Sequence, residues 1–203
     1  MTTETLAPAV STERISFEDF LRAYDGMHAE WVDGSVVPMS PVSDRHQDIV
    51  DFLAALLRHL VEATDAGIIR TSQIAMHLER SARVPDILFL SAEHLDRRKE
   101  TFVEGAADLV IEVTSPESRG RDRGEKFYEY EQGGVAEYWL IDPARKSVDL
   151  FRRDEHGYYE AVSTPTDTRL ESAVLRGFWI DPVWLWSDPI PKLDYVLKEW
   201  GLR

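Results

Sequence analysis

The alternation of apolar and polar positions divides this chain into helices and strands. Ser16 is placed to cap a short helix over residues 16–24. Glu18 and Asp19 favour its positive first turn, and Phe17, Phe20 and Leu21 share one face. Residues 29–37 read as two short extended runs around Asp33-Gly34, a two-residue hairpin signal. The longest helical pattern spans residues 46–63, with Val50, Leu53, Leu57 and Leu60 at helical spacing and Gly67 as its stop. Strand patterns follow at 68–78, at 84–90 (interrupted by Pro85-Asp86) and at 108–114. A helix is predicted over 121–132, closed by Gly133-Gly134. Strands over 137–141 and 147–151 flank Asp142-Pro143, and 158–162 adds another. This order predicts the α/β (α+β) class, with a mixed central β-sheet flanked by helices.

Composition narrows the picture. The 203 residues, 43% of them hydrophobic, suit one soluble domain over residues 15–203, preceded by a flexible tail over 1–14. The C-terminal stretch bearing Trp179, Trp184, Trp186 and Trp200 reads as an aromatic appendage that packs. With no cysteine, disulfides, thiolate zinc sites and cysteine nucleophiles are excluded. No apolar run reaches the ~18 residues of a membrane span, and the start lacks a secretion signal, so the expected location is the cytoplasm. A net charge of -14 argues against coat-like nucleic-acid binding, which rests on phosphate neutralisation. It leaves room for an enzyme that meets nucleic acid through a small basic lip and a bound cation.

Common catalytic signatures are missing: the phosphate-cradling Gly-x-x-x-x-Gly-Lys-Ser/Thr, Gly-x-Gly-x-x-Gly, Gly-x-Ser-x-Gly and His-Glu-x-x-His. Carboxylates inside apolar strands stand out instead. Leu109-Val110-Ile111-Glu112-Val113 is apolar on both faces, so Glu112 must be protonated, paired or bound to a cation. Asp86, heading Ile87-Leu88-Phe89-Leu90, poses the same problem. At neighbouring strand ends the two would form a hard, oxygen-rich pocket for Mg2+ or Mn2+; alternatively each pairs with an arginine or caps a loop. Glu112 lies roughly 13 Å back from Pro116 at ~3.3 Å per strand residue. Lys126 lies roughly 8–9 Å along the next helix at ~1.5 Å per residue. A returning helix would therefore bring Lys126 over Glu112; the competing arrangement is a plain i,i+4 pair with Asp122.

These blocks carry a resemblance. Pro85-Asp86, residues 108–116 with Glu112-Val113-Thr114-Ser115-Pro116, Asp122 with Lys126 and Tyr130, and residues 134–143 with Glu137-Tyr138-Trp139 and Asp142-Pro143 closely resemble the Uma-two family. So do residues 30–34 and His46. That family is placed in the PD-(D/E)XK nuclease superfamily of restriction-endonuclease-like proteins. The resemblance implies a Mg2+- (or Mn2+-) dependent DNA endonuclease, acting as a homodimer. In it Asp86 and Glu112 hold the ion with the main-chain carbonyl of Val113, and Lys126 takes part in catalysis. The superfamily pattern wants lysine two residues after the glutamate; Thr114 stands there, and Lys126 matches the variant that supplies the lysine from the following helix. Glu30 would be an upstream acidic member, or else a hairpin surface residue, and His46 would lean over the site or simply cap its helix. Arg119, Arg121 and Arg123 are the candidate DNA contacts. Tyr128 and Tyr130 stack on bases or pack. The rival expectations are a nuclease fold kept as a binding or scaffold module, and a phosphoesterase for smaller substrates.

Overall fold

The computed structural model describes residues 14–24 and 26–202; the tail expected at the N-terminus lies outside them except for Arg14. Helix α1 (Phe17–Ala23) begins at Ser16, whose hydroxyl accepts the Asp19 amide. Strands β1 (Ala29–Val32) and β2 (Ser35–Pro38) form the expected hairpin, with Asp33 and Gly34 both at positive φ as a two-residue turn of this type requires. Helix α2 (Asp44–Thr64) is capped by the Ser43 side chain. It stops at Asp65, which takes the left-handed conformation and donates its amide to Val61, so Gly67 is not the stop.

Gly67 instead opens β3 (Gly67–Thr71), where a Cβ would stand 2.0 Å from the Leu90 carbonyl oxygen. The single run read over 68–78 is two strands, β3 and β4 (Ala75–His77), in different sheets, separated at Gln73 by a positive φ. Pro85 likewise divides β5 (Ser81–Arg83) from β6 (Ile87–Ser91), because proline has no amide to continue a ladder. After a 3-10 turn (Ala92–Arg97) come β7 (Phe102–Glu104) and β8 (Leu109–Val113).

The helix expected over 121–132 is broken. Helices α3 (Arg119–Arg123) and α4 (Glu125–Gly133) meet at Gly124, whose backbone (φ -114°, ψ -92°) is not helical. The chain continues through β9 (Glu137–Asp142), β10 (Ser147–Arg153) and β11 (Tyr159–Ala161). The C-terminal aromatic stretch adds β12 (Leu170–Glu171), β13 (Trp179–Ile180), α5 (Val183–Trp186) and α6 (Leu193–Glu199).

The strands form a six-stranded mixed sheet in the order β11-β10-β9-β8-β6-β3, a five-stranded sheet in the order β2-β1-β5-β4-β7, and the β12–β13 pair. In the larger sheet β8 runs parallel to β9 and antiparallel to β6, with Ile111 facing Ile87. Alternation sends Leu109, Ile111 and Val113 to a core shared with α2 and the C-terminal aromatics. Val110, Leu88 and Leu90 go to the opposite core, shared with Tyr130 and partly buried Phe127 of α4. Glu112 and Asp86 keep the second parity, and Asp86, one position before Ile87, falls across from Glu112. No helix among the described residues is long and apolar enough to cross a membrane.

Candidate functional site

Register alone brings the two acids of the larger sheet to one end and one face; α4 and the smaller sheet then close over them. Lys126, in the first turn of α4, donates to Glu112 Oε1 at 2.8 Å, and its Nζ lies 3.4 Å from Glu30 Oε1 and 3.6 Å from Asp122 Oδ1. Tyr130, one turn on, donates its hydroxyl to the same Glu112 oxygen at 2.7 Å. Glu112 Oε2 accepts no hydrogen bond among the described residues. Asp86 Oδ2 accepts the Val113 amide at 2.8 Å, and its Oδ1 lies 3.1 Å from His46 Nε2, at the start of α2. All of these side chains are buried, and Glu30, His46, Asp86, Glu112, Asp122 and Lys126 border one cavity of about 50 Å³.

The charges are unevenly matched. Burial opposes the Lys126 charge, but Glu112, Glu30 and Asp122 overcome it and hold the ammonium well above its usual range. Burial likewise pushes Glu112 up to about 8; Lys126 pulls it down, and Asp86 and Asp122 push it further up. The two shifts share an origin. Several carboxyls compete for one ammonium, so the lysine stays charged and Glu112 is driven toward its protonated form. Asp122 is raised by burial as well. Glu30 is lowered, because Lys126 and Arg83 outweigh its burial.

The donor set fits a hard divalent cation. Asp86 and Glu112 offer carboxylate oxygens, the site is rich in negative charge, and Asp122 Oδ1 is buried without a hydrogen-bond partner. Among the described residues no three acidic or imidazole side chains form a ready-made ligand cluster. Mg2+ is commonly held by one or two carboxylates with water completing its shell, so two acids suffice.

The model of the family described as "Uma2: Putative restriction endonuclease" matches residues 17–183, a span that includes every side chain of this cavity. The chain belongs to the Uma2 family. An uncharacterized protein of Synechocystis sp. is 24% identical to this Uma2 chain over 183 residues, covering 88% of it and 95% of that relative. A crystal structure from Anabaena variabilis, described as a putative nuclease belonging to DUF820, shares the fold with a TM-score of 0.67. It is 17% identical and covers 78% of this chain and 89% of its own.

The Uma2 chain brings together Asp86, Glu112, Lys126, Glu30 and His46, all singled out in its sequence. Both arrangements weighed for Lys126 coexist: it reaches Glu112 and also lies near Asp122. Glu30 is a buried residue of β1, not a hairpin surface residue. Val113 contributes its amide to Asp86 and borders the cavity. Thr114, where the superfamily has lysine, is buried with its hydroxyl unpartnered.

The expected basic lip is mostly committed elsewhere. Arg119 makes a two-pronged contact with buried Asp142, and Arg123 pairs with Asp149 at 2.6 Å, because residues four apart share the face of α3 turned to β9 and β10. Of the three, Arg121 borders the cavity, and its side chain has no hydrogen bond or ion pair among the described residues. Tyr128 is exposed, and Tyr130 serves Glu112. Sequence reasoning missed Arg83 and the hydrogen-bonding role of Tyr130. A lone arginine flanked by Ala82 and Val84, just before Pro85-Asp86, was the available signal for the first.

Proposed function

We propose that this Uma2 chain is a Mg2+- or Mn2+-dependent endonuclease that hydrolyses DNA phosphodiester bonds. The observation that carries the reading is the meeting of Asp86, Glu112 and the Lys126 ammonium at one buried cavity. Asp86 and Glu112 hold the cation, with the Val113 main chain beside them. Bound Mg2+ supplies Lewis acidity toward a phosphate oxygen. Lys126, kept charged by three carboxyls, acts as an electrostatic clamp on negative charge developing at phosphorus and not as a base. Arg121 supplies the free guanidinium for a phosphate near the cavity mouth. His46 holds Asp86 in place through Nε2. A homodimer would bring two such centres to a duplex and let both strands be cut in one binding event.

The test is cleavage of supercoiled, linear and single-stranded DNA with Mg2+ or Mn2+, beside Glu112→Ala and Lys126→Ala. The native chain should cut, and each variant should lose at least ~100-fold in rate. Cleavage that survives in both variants overturns the site. If no DNA is cut while Mn2+ still raises the melting temperature in a Glu112-dependent way, a small-substrate phosphoesterase or a binding module replaces the nuclease.

A further inference from the structure

We infer that Arg83 is the positioning residue that sets Lys126 against Glu112, a role that rests on the nuclease reading only where it concerns the rate of cleavage. Arg83 is fully buried on β5, and a guanidinium does not give up its proton, so its charge must be met inside the fold. It meets three carboxylates. Nε and Nη2 form a fork on Glu129 at 2.7 and 2.6 Å, Nη2 also reaches Glu125 at 3.4 Å, and Nη1 donates to Glu30 at 2.9 Å.

Glu125 and Glu129 stand one turn apart on α4 and bracket Lys126 in sequence. Helix α4 starts after the break at Gly124 with no side-chain cap, so only backbone hydrogen bonds, such as the Tyr128 amide to the Gly124 carbonyl, hold the turn that carries Lys126 from within. The Arg83 fork fixes it from outside. Planar, two-pronged pairing constrains both distance and orientation, which an ammonium in the same place would not.

The second contact acts on charge. Glu30 Oε1 lies 3.4 Å from Lys126, and Arg83 engages the other oxygen of that carboxylate. By sharing Glu30, Arg83 leaves Lys126 closest to Glu112. Without it, Glu30 becomes the stronger competitor for the ammonium. Arg83 also lies three residues before Asp86, with Val84 donating its amide to Glu30 Oε1 and Pro85 stiffening the link. One side chain thus ties the lysine-bearing helix to the stretch that delivers the first acid.

The experiment compares Arg83→Lys, Glu129→Gln and the double variant Arg83→Met with Glu30→Gln. The readouts are the NMR signal of the Lys126 side-chain ammonium, Mn2+ affinity by calorimetry, and DNA cleavage resolved into kcat and KM. Arg83→Lys and Glu129→Gln should displace the Lys126 signal and lower kcat by roughly tenfold or more, with KM and Mn2+ affinity within about threefold of native. Neutralising Glu30 in the Arg83→Met background should return the Lys126 signal toward its native position. Glu129 is partly exposed, so Glu129→Gln gives a folded variant even if Arg83 changes unfold the chain. A Lys126 signal unmoved in both single variants overturns the inference. If the native chain cuts no DNA at all, the nuclease reading fails, and the Lys126 signal still decides the part played by Arg83.

Discussion

Tyr130 and Lys126 stand one turn apart on α4 and both donate to the same oxygen of Glu112, at 2.7 and 2.8 Å. The pair holds a carboxyl that burial and neighbouring acids would otherwise leave free to turn. Tyr130→Phe keeps the ring and removes the hydroxyl. It should cost about 1–2 kcal/mol of stability in urea unfolding, the worth of one hydrogen bond to a buried acid. A loss below ~0.5 kcal/mol would mean that the hydroxyl does not restrain Glu112.

Without metal, stability should fall as pH rises from about 5 to about 8. Over that range the folded chain keeps a proton on Glu112, raised from 4.5 to about 8, that the unfolded chain has already released. The unfolded state therefore binds fewer protons, and the slope of unfolding free energy against pH is negative. Asp122, also raised, acts in the same sense at the acidic end. Urea midpoints taken at intervals across this range in chelator should show the decline, and Glu112→Gln should flatten it. An equally steep decline in the variant would assign the effect to another group.

The three arginines around α3 should separate by function. Arg121→Ala should weaken DNA binding and reduce its salt slope by about one. Arg119→Ala should leave DNA affinity unchanged and cost about 2–3 kcal/mol, because it strips the two-pronged partner from buried Asp142. Titration of labelled DNA at several salt concentrations, beside thermal melts, distinguishes them. Equal losses of affinity in both variants would reject the assignment of Arg121.

Gly67→Ala should cost ~3 kcal/mol or more. Its φ of +147° and the 2.0 Å approach of an added Cβ to the Leu90 carbonyl leave no room where β3 joins β6. A melting temperature close to native would show that the β3 edge shifts freely.

How far the molecule was legible in its sequence differs by element. The strand bearing Glu112 stood out because an acid inside a run apolar on both faces has few tolerable environments. The reach of Lys126 followed from strand rise, helix rise and the length of a lysine. The run at 68–78 was misjudged because alternation reveals that a segment is extended and not which neighbour it pairs with; a turn at Gln73 sends its halves to different sheets. The stop of α2 was misplaced because Asp65 adopts a conformation usually left to glycine. Arg119 and Arg123 looked free because Asp149 is 26 residues from its partner and Asp142 is 23.

Local order and polarity were thus written along the chain: which stretches are helical, which are extended, and which acids have no business in an apolar strand. These depend on residues within a few positions of one another, where periodicity and capping act. Which cation answers which acid was decided only by the assembled fold. Arg83, Glu30 and Glu129 lie on three separate elements, and a charge pair between distant residues leaves no local pattern until sheet register and helix packing have set the distance.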